Sequence, residues 1–321
     1  MTTLPDLSAD RIAAARAEID PVFLNSPLIA APELDRSLGL TLLVKDETRN
    51  PIRCFKGRGT SFYLARDDGS GGIVAASAGN FGQGLAYGAT RRGRSLTVFA
   101  SEGANAAKVE AMRRLGAEVV LGGADFDVAK ARARAFAEER GLAFVEDGAD
   151  AAIAEGAGTI AAELTDATPG LDAVFVPLGN GALAAGIGCW FKRHSPATRV
   201  IAVVAAGAPC MALSWQSGAV VSTERADTIA DGIAVRVPVP QAVEWLKGTI
   251  DDVCLVDDAA ILDAMRLARA AWGQPIEPAG AAGLAAVVAR RDAFAGGRVA
   301  TMLCGANLTP AQIAAWFGDK G

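Results

Sequence analysis

Short runs of Val, Ile, Leu and Ala, three to five residues long, alternate along this chain with longer Ala-rich stretches whose apolar positions recur at helical spacing. Such alternation is the pattern of a mainly parallel sheet covered by helices. The fold class expected is therefore α/β. Strands are expected at Leu42 to Val44, Ile73 to Ala76, Leu96 to Ala100, Val119 to Leu121, Ala173 to Val176, Val200 to Val204, Val253 to Val256 and Val299 to Leu303. Helices fall between them, for example Ala106 to Leu115 and Asp125 to Arg140. Residues from about 70 to 145 hold a compact run of these units, and the acidic, Gly-rich EDGADAAIAEGAG segment after Phe144 reads as a crossing to another lobe. Two lobes with a cleft between them are expected.

With 321 residues, 51% hydrophobic and 21% charged, the chain can bury a large core. A formal net charge of -5 gives no electrostatic reason to approach nucleic acid or an anionic membrane, both of which need clustered positive charge. No apolar stretch approaches the roughly 20 residues of a membrane helix. The N-terminal MTTLPDLSADRIAAARAEID is acidic and amphipathic rather than signal-like. A cytoplasmic protein acting on a small molecule is expected. The five cysteines, an odd number without a CxxC pair, fit neither a disulfide framework nor a zinc site. The single histidine, His194 in FKRHSP, reads as a solvated residue at a helix end. That removes multi-histidine metal sites and, unless His194 is the base, Ser-His-Asp chemistry.

Lysine is rare, with seven against a large majority of Arg, and six of the seven read as surface residues on helices, at a strand end or in the tail. Lys56, in RNPIRCFKGRGTSF, differs: it follows Phe55, lies between Arg53 and Arg58, and leads into a helix. Neighbouring cations and partial burial both depress a lysine pKa, and an amine that is neutral part of the time can form a Schiff base. A basic surface loop is the other reading of that segment. ASAGNFGQGLAYGA follows the strand at 73 to 76; Gly79, Gly82 and Gly84 let a ligand approach the backbone, and Asn80 offers a donor and an acceptor. VPLGNGALAAGIG repeats the arrangement after the strand at 173 to 176, with Gly179, Gly181 and Gly186. Amides at a helix N-terminus after a glycine turn make an anion site where a phosphate can rest. Tight strand-to-helix packing is the other reading of both glycine segments. Neither is GxGxxG with a ribose-binding acid, which disfavours a nicotinamide oxidoreductase. TMLCGANLTP puts Cys304 at the carboxyl end of the last strand, where open α/β sheets bind ligands, or else as a buried structural thiol.

In this order, the four segments resemble the pyridoxal 5'-phosphate (PLP)-dependent fold type II family, tryptophan synthase β-like, and within it the branch of threonine and serine dehydratases and serine racemase. The resemblance runs over nearly the whole chain. It implies a two-lobed α/β fold, each lobe a twisted, mainly parallel sheet covered by helices, with the cofactor in the cleft. Residues 1–66 and 146–321 would form the large cofactor-binding domain and 67–145 the small one. It implies that Lys56, beside Phe55, carries the Schiff base, that Asn80 bonds the cofactor's 3'-oxygen, and that Ser77, Ala78, Gly79 and Asn80 receive the substrate carboxylate. Gly179, Asn180, Gly181, Ala182 and Leu183 stand where the family grips the phosphate. TIADGIAV, with Asp231 and Gly232, and EPAGAAGLAA, starting at Glu277, resemble the same branch and put Gly232 beside the cofactor. Cys304 occupies the place of a serine that usually faces the pyridine nitrogen.

The sequence also departs from the family pattern. Asn180 and Ala182 interrupt a loop that is usually four glycines, and Phe81 replaces the histidine that commonly follows the asparagine. Ala78 lacks the serine hydroxyl that racemases use as the acid opposite the lysine. Val204 and Pro209 fall where the family's divalent-metal acids stand, so no metal is expected. A thiol cannot stabilise a protonated pyridine nitrogen, and a neutral ring suits elimination better than transamination. The resemblance thus implies β-elimination of a β-hydroxy amino acid such as threonine or serine to a 2-oxo acid and ammonia, with Lys56 as general base. KDETRNP is somewhat similar to threonine synthase and diaminopropionate ammonia-lyase, which keeps open elimination or replacement on diaminopropionate, a hydroxyaspartate or a phosphorylated amino acid. A racemase and a non-catalytic PLP-binding protein are further alternatives. A homodimer is expected, without the C-terminal regulatory domain of biosynthetic threonine dehydratases.

Overall fold

The computed structural model describes residues 7–67, 69 and 71–318. Its elements are, in chain order, α1 (Ala9–Glu18), β1 (Leu28–Ile29), α2 (Pro32–Leu38), β2 (Thr41–Asp46), α3 (Lys56–Arg66), β3 (Ile73–Ala76), α4 (Asn80–Arg91), β4 (Leu96–Ala100), α5 (Ala106–Arg114), β5 (Glu118–Leu121), α6 (Phe126–Arg140) and β6 (Ala143–Val145). They continue with α7 (Ala151–Ala167), β7 (Ala173–Pro177), α8 (Ala182–His194), β8 (Arg199–Ala205), α9 (Cys210–Ser217), α10 (Pro240–Thr249), β9 (Asp252–Val256), α11 (Asp258–Trp272), α12 (Pro278–Arg290), β10 (Arg298–Leu303) and α13 (Pro310–Phe317). All eight expected strands are present, as β2, β3, β4, β5, β7, β8, β9 and β10. The two that the pattern did not announce, β1 and β6, are two and three residues long, too short to show a period.

The strands form two sheets. One has six strands in the order β1-β2-β10-β7-β8-β9, all parallel except β1 against β2; the other has four parallel strands in the order β5-β4-β3-β6. Strands such as β3 and β7 are buried along their whole length, as helices on both faces of a parallel sheet require. The EDGADAAIAEGAG segment is a crossing only as far as Asp150. From Ala151 it is helix, capped by the Asp150 side chain on the Ala152 amide and buried from Ile153 to Leu164.

Helices α3 and α8, which line the cleft with their first residues, pack backbone to backbone against α7. A Cβ at Gly156 of α7 would lie 2.7 Å from the Arg58 carbonyl oxygen of α3, and one at Gly186 of α8 would collide with the Ala154 carbonyl of α7. Small residues at these crossings fix α3 and α8 against α7, and so fix the residues at their N-terminal ends relative to one another.

Candidate active site

Lys56 is the first residue of α3, and its segment is stitched to the carboxyl end of β10. The Phe55 amide donates to the Cys304 carbonyl at 3.1 Å, the Ala306 amide to the Arg53 carbonyl at 3.0 Å, and Cys54 bridges Gly305. The lysine amine is thereby held in a cleft of about 470 Å³ that lies between the two sheets. Phe55, Ser77, Ala78, Gly79, Asn80, Gly179, Asn180, Gly181, Ala182, Leu183, Gly232 and Cys304 all line the same cleft.

The immediate partner of Lys56 is a carboxylate. Its Nζ lies 2.6 Å from Asp147 Oδ2, with the Phe55 ring centre 4.7 Å and the Phe81 ring centre 5.9 Å away. Asp147 Oδ1 is buried without a hydrogen-bond partner among the described residues, a state that costs about 1–3 kcal/mol. Arg58 is fully buried and spends its guanidinium on Glu47 at 2.8 Å and Glu163 at 2.6 Å. Lys45 adds a second cation to Glu163 at 2.6 Å. Burial alone would raise the Glu163 carboxyl, but the bonds from Arg58 and Lys45 outweigh it and bring it down to about 2.

Ser77 folds the loop ahead of α4: its Oγ accepts from the amides of Gly79 at 3.2 Å and Gly82 at 2.9 Å. Neither cap residue, Gly79 of α4 or Gly181 of α8, has a side chain of its own; apart from the Gly82 amide taken by Ser77, both helix N-termini open onto the cleft with their dipole. Gly181 has φ +101°, and a Cβ at Gly179 would lie 2.8 Å from the Gly232 carbonyl, which packs the loop at 179–181 against that at 231–233. Gly82, Gly84 and Gly186 serve packing instead: a Cβ there would strike Met112, Thr60 and Ala154, and none of the three lines the cleft.

Asn80 is held on both ends of its amide. Its Nδ2 donates to Glu277 Oε1 at 3.0 Å, and its Oδ1 accepts from Asn307 Nδ2 at 2.8 Å. Glu277, 2% exposed, is also 3.5 Å from Lys108 Nζ, which pairs with Asp231 at 2.5 Å. Burial pushes the Glu277 carboxyl up against the opposing pull of Lys108, whereas in Lys108 the attraction of Glu277 and Asp231 outweighs burial and raises the amine. Burial likewise drives up the thiols of Cys304 and Cys54, which therefore stay protonated.

Lys45 and Lys108 are both buried, which corrects the reading of all lysines but Lys56 as surface residues; Lys320 lies outside the described residues. Lys108 was legible from phase, because it shares the buried face of α5 with Val109 and Met112. His194 ends α8 as an exposed residue, stacked on Trp190 with ring centres 4.0 Å apart. All five cysteines are free and buried, and no group of three or more His, Cys, Asp or Glu among the described residues is arranged to hold a metal ion.

A lysine amine, two glycine-led helix N-termini and a buried amide network around one cleft fit PLP, which needs an amine for its aldehyde, an anion site for its phosphate and a polar ring pocket. The family model "Pyridoxal-phosphate dependent enzyme" matches residues 19–305. L-threonine dehydratase biosynthetic IlvA of Salmonella typhimurium is 35% identical over 303 residues, covering 92% of this chain and 59% of that protein. L-threonine ammonia-lyase of Geobacter sulfurreducens is 36% identical over 287 residues, covering 88% of this chain and 71% of that protein. Among solved structures, a pyridoxal 5'-phosphate-dependent aspartate racemase superposes with a TM-score of 0.90 at 28% identity, over 97% of this chain and 99% of the other. Fold and site thus define a fold type II PLP protein. The chain belongs to the pyridoxal-phosphate dependent enzyme family, and PLP is its cofactor. It spans about three-fifths of the Salmonella dehydratase's length.

Proposed function

We propose that the protein is a PLP-dependent ammonia-lyase that converts a β-hydroxy amino acid such as threonine or serine to a 2-oxo acid and ammonia by β-elimination. The observation that carries this reading is the Lys56 amine placed in one cleft with the glycine-led N-termini of α4 and α8. Lys56 would hold the cofactor, residues Gly179 to Leu183 its phosphate, and Asn80, Gly232 and Cys304 would surround its ring. When bound, PLP supplies an electron sink that acidifies the proton on the substrate's α-carbon. Lys56 Nζ takes that proton as general base. Ser77, Ala78, Gly79 and Asn80, at the head of α4, hold the substrate carboxylate. The protonated Cys304 thiol offers no negative charge to a pyridinium, which favours loss of the β-hydroxyl; it would leave as water with a proton supplied by the phosphate that residues Gly179 to Leu183 would hold. The released enamine tautomerises, and water replaces its nitrogen as ammonia. Ala78 brings no acid to the face opposite Lys56, which supports elimination over racemisation.

The sheet membership of the strands supports a large domain of residues 1–66 and 146–321 and a small one of 67–145. We take the chain to act as a cytoplasmic homodimer: five free, buried thiols suit a reducing compartment, and light scattering on the holoenzyme tests the dimer. The activity is tested by 2-oxo acid release from L-threonine, L-serine, phenylserine, hydroxyaspartates and diaminopropionate, with Lys56→Ala as control. Release by the parent, lost by at least about a thousandfold in Lys56→Ala, is expected, since nucleophile and base vanish together. Silence of the parent across the panel overturns the assignment.

A further inference from the structure

None of the carboxylates of the cleft has a part in the elimination just described, and one of them stands apart from the rest. The lining holds six carboxylates and four basic side chains, and three of the basic groups are already paired. Lys108 sits on Asp231 and Glu277, Lys130 is 3.1 Å from Glu146, and Arg236 pairs with Asp125 and Asp127. Asp147 has one cation among the described residues, Lys56, at 2.6 Å through Oδ2, and its Oδ1 has none. Lys56, however, is the residue that the cofactor claims.

Once Lys56 is committed, Asp147 is an anion with two acceptor oxygens in a confined, carboxylate-rich cleft, where an unpaired charge is costly and a donor is strongly favoured. The base must reach the α-hydrogen, and Asp147 lies 2.6 Å from that base; with the substrate carboxylate at the head of α4 and its nitrogen on the cofactor, the β-carbon is the group left to face Asp147. We infer that Asp147 reads the β-substituent: it accepts a hydrogen bond from a hydroxyl or an ammonium group there and rejects a carboxylate or phosphate. This rests on the reading of Lys56 as the base, and it deepens that reading from a reaction to a substrate class. Cationic and neutral donor substituents are admitted, and anionic ones are excluded by like charge.

The test separates recognition from turnover. Holoenzyme is titrated with L-2,4-diaminobutyrate, L-homoserine and L-aspartate, none of which carries a leaving group on its β-carbon, and the dissociation constants are read from the visible absorbance of the cofactor. In the parent, the cationic and hydroxyl ligands are expected to bind at least about tenfold more tightly than aspartate, the scale of one charge-assisted hydrogen bond. In Asp147→Asn the gap is expected to close to within about threefold, on the same conversion of free energy to affinity. Should the amide variant fail to retain PLP, Asp147→Ser gives the same comparison. Aspartate binding as tightly as the other two in the parent, or an unchanged order in the variants, overturns the inference. Lys56-dependent release of 2-oxo acid with a flat binding order would sink this proposal alone. A graded order without release from any substrate would sink the elimination and leave Asp147 as the selector.

Discussion

At Gly181 the backbone stands at φ +101°, and a Cβ would lie 2.7 Å from Ala242 Cβ. Gly181→Ala therefore meets both a disfavoured backbone region and a side chain. It is expected to lower stability by at least about 1 kcal/mol and to weaken PLP retention, read by thermal melting and by cofactor titration. Residues of this kind were legible in the sequence, because a glycine turn between a buried strand and an Ala-rich helix has few other uses. Lys56 was legible too, through its rarity and its glycine-rich setting, although its neighbour in space is Asp147 rather than the arginines beside it in sequence. Asp147 was not: in VEDGAD it is one acid in an acidic turn, and sequence spacing gives no sign that a residue 91 positions away supplies its partner.

The same limit appears in the helices. Expected boundaries for α5 and α6 agree to within one residue because their phases and caps are local, with Asn105 accepting from the Ala107 amide and Asp125 from that of Val128. What α3 does inside the molecule is not local. Its Arg58 meets Glu47 from the β2–α3 connection and Glu163 from α7, a buried network that no single element encodes. Removing one partner of such a network leaves a charge stranded, so Glu163→Gln is expected to cost about 3–5 kcal/mol at neutral pH in chemical denaturation. The Glu163 carboxyl titrates near 2 when folded against an ordinary 4.5. A carboxylate lowered by folding contributes stability above its ordinary value and loses it as pH falls through the folded one. The parent's melting temperature is accordingly expected to drop between about pH 4.5 and 2, and the drop should be shallower in Glu163→Gln.

Across the whole molecule, Lys108 links the two sheets, since α5 follows β4 of the four-stranded sheet while Asp231 and Glu277 belong to the side of β10. Lys108→Met is expected to speed amide exchange in α5 and at residues 228–237 and to raise KM severalfold, as fits an element that orders the cleft. Because the amine is raised above its ordinary 10.5, its contribution is fully present at neutral pH and is lost as pH climbs from 10.5 through the folded value. The α/β class was readable from alternation alone. The order of strands was not, for nothing in eight apolar runs says that the last inserts between the first and the fifth. That insertion has a consequence for the order of assembly. The four-stranded sheet spans residues 73 to 145 without interruption and can complete itself while synthesis continues. The six-stranded sheet cannot: β2 and β7 share no edge and must wait, one beside the nascent chain's beginning, until residues 298 to 303 emerge to lie between them. Since the Lys56 segment is pinned to the end of that same strand, the Lys56 amine reaches its place in the cleft only once β10 is seated.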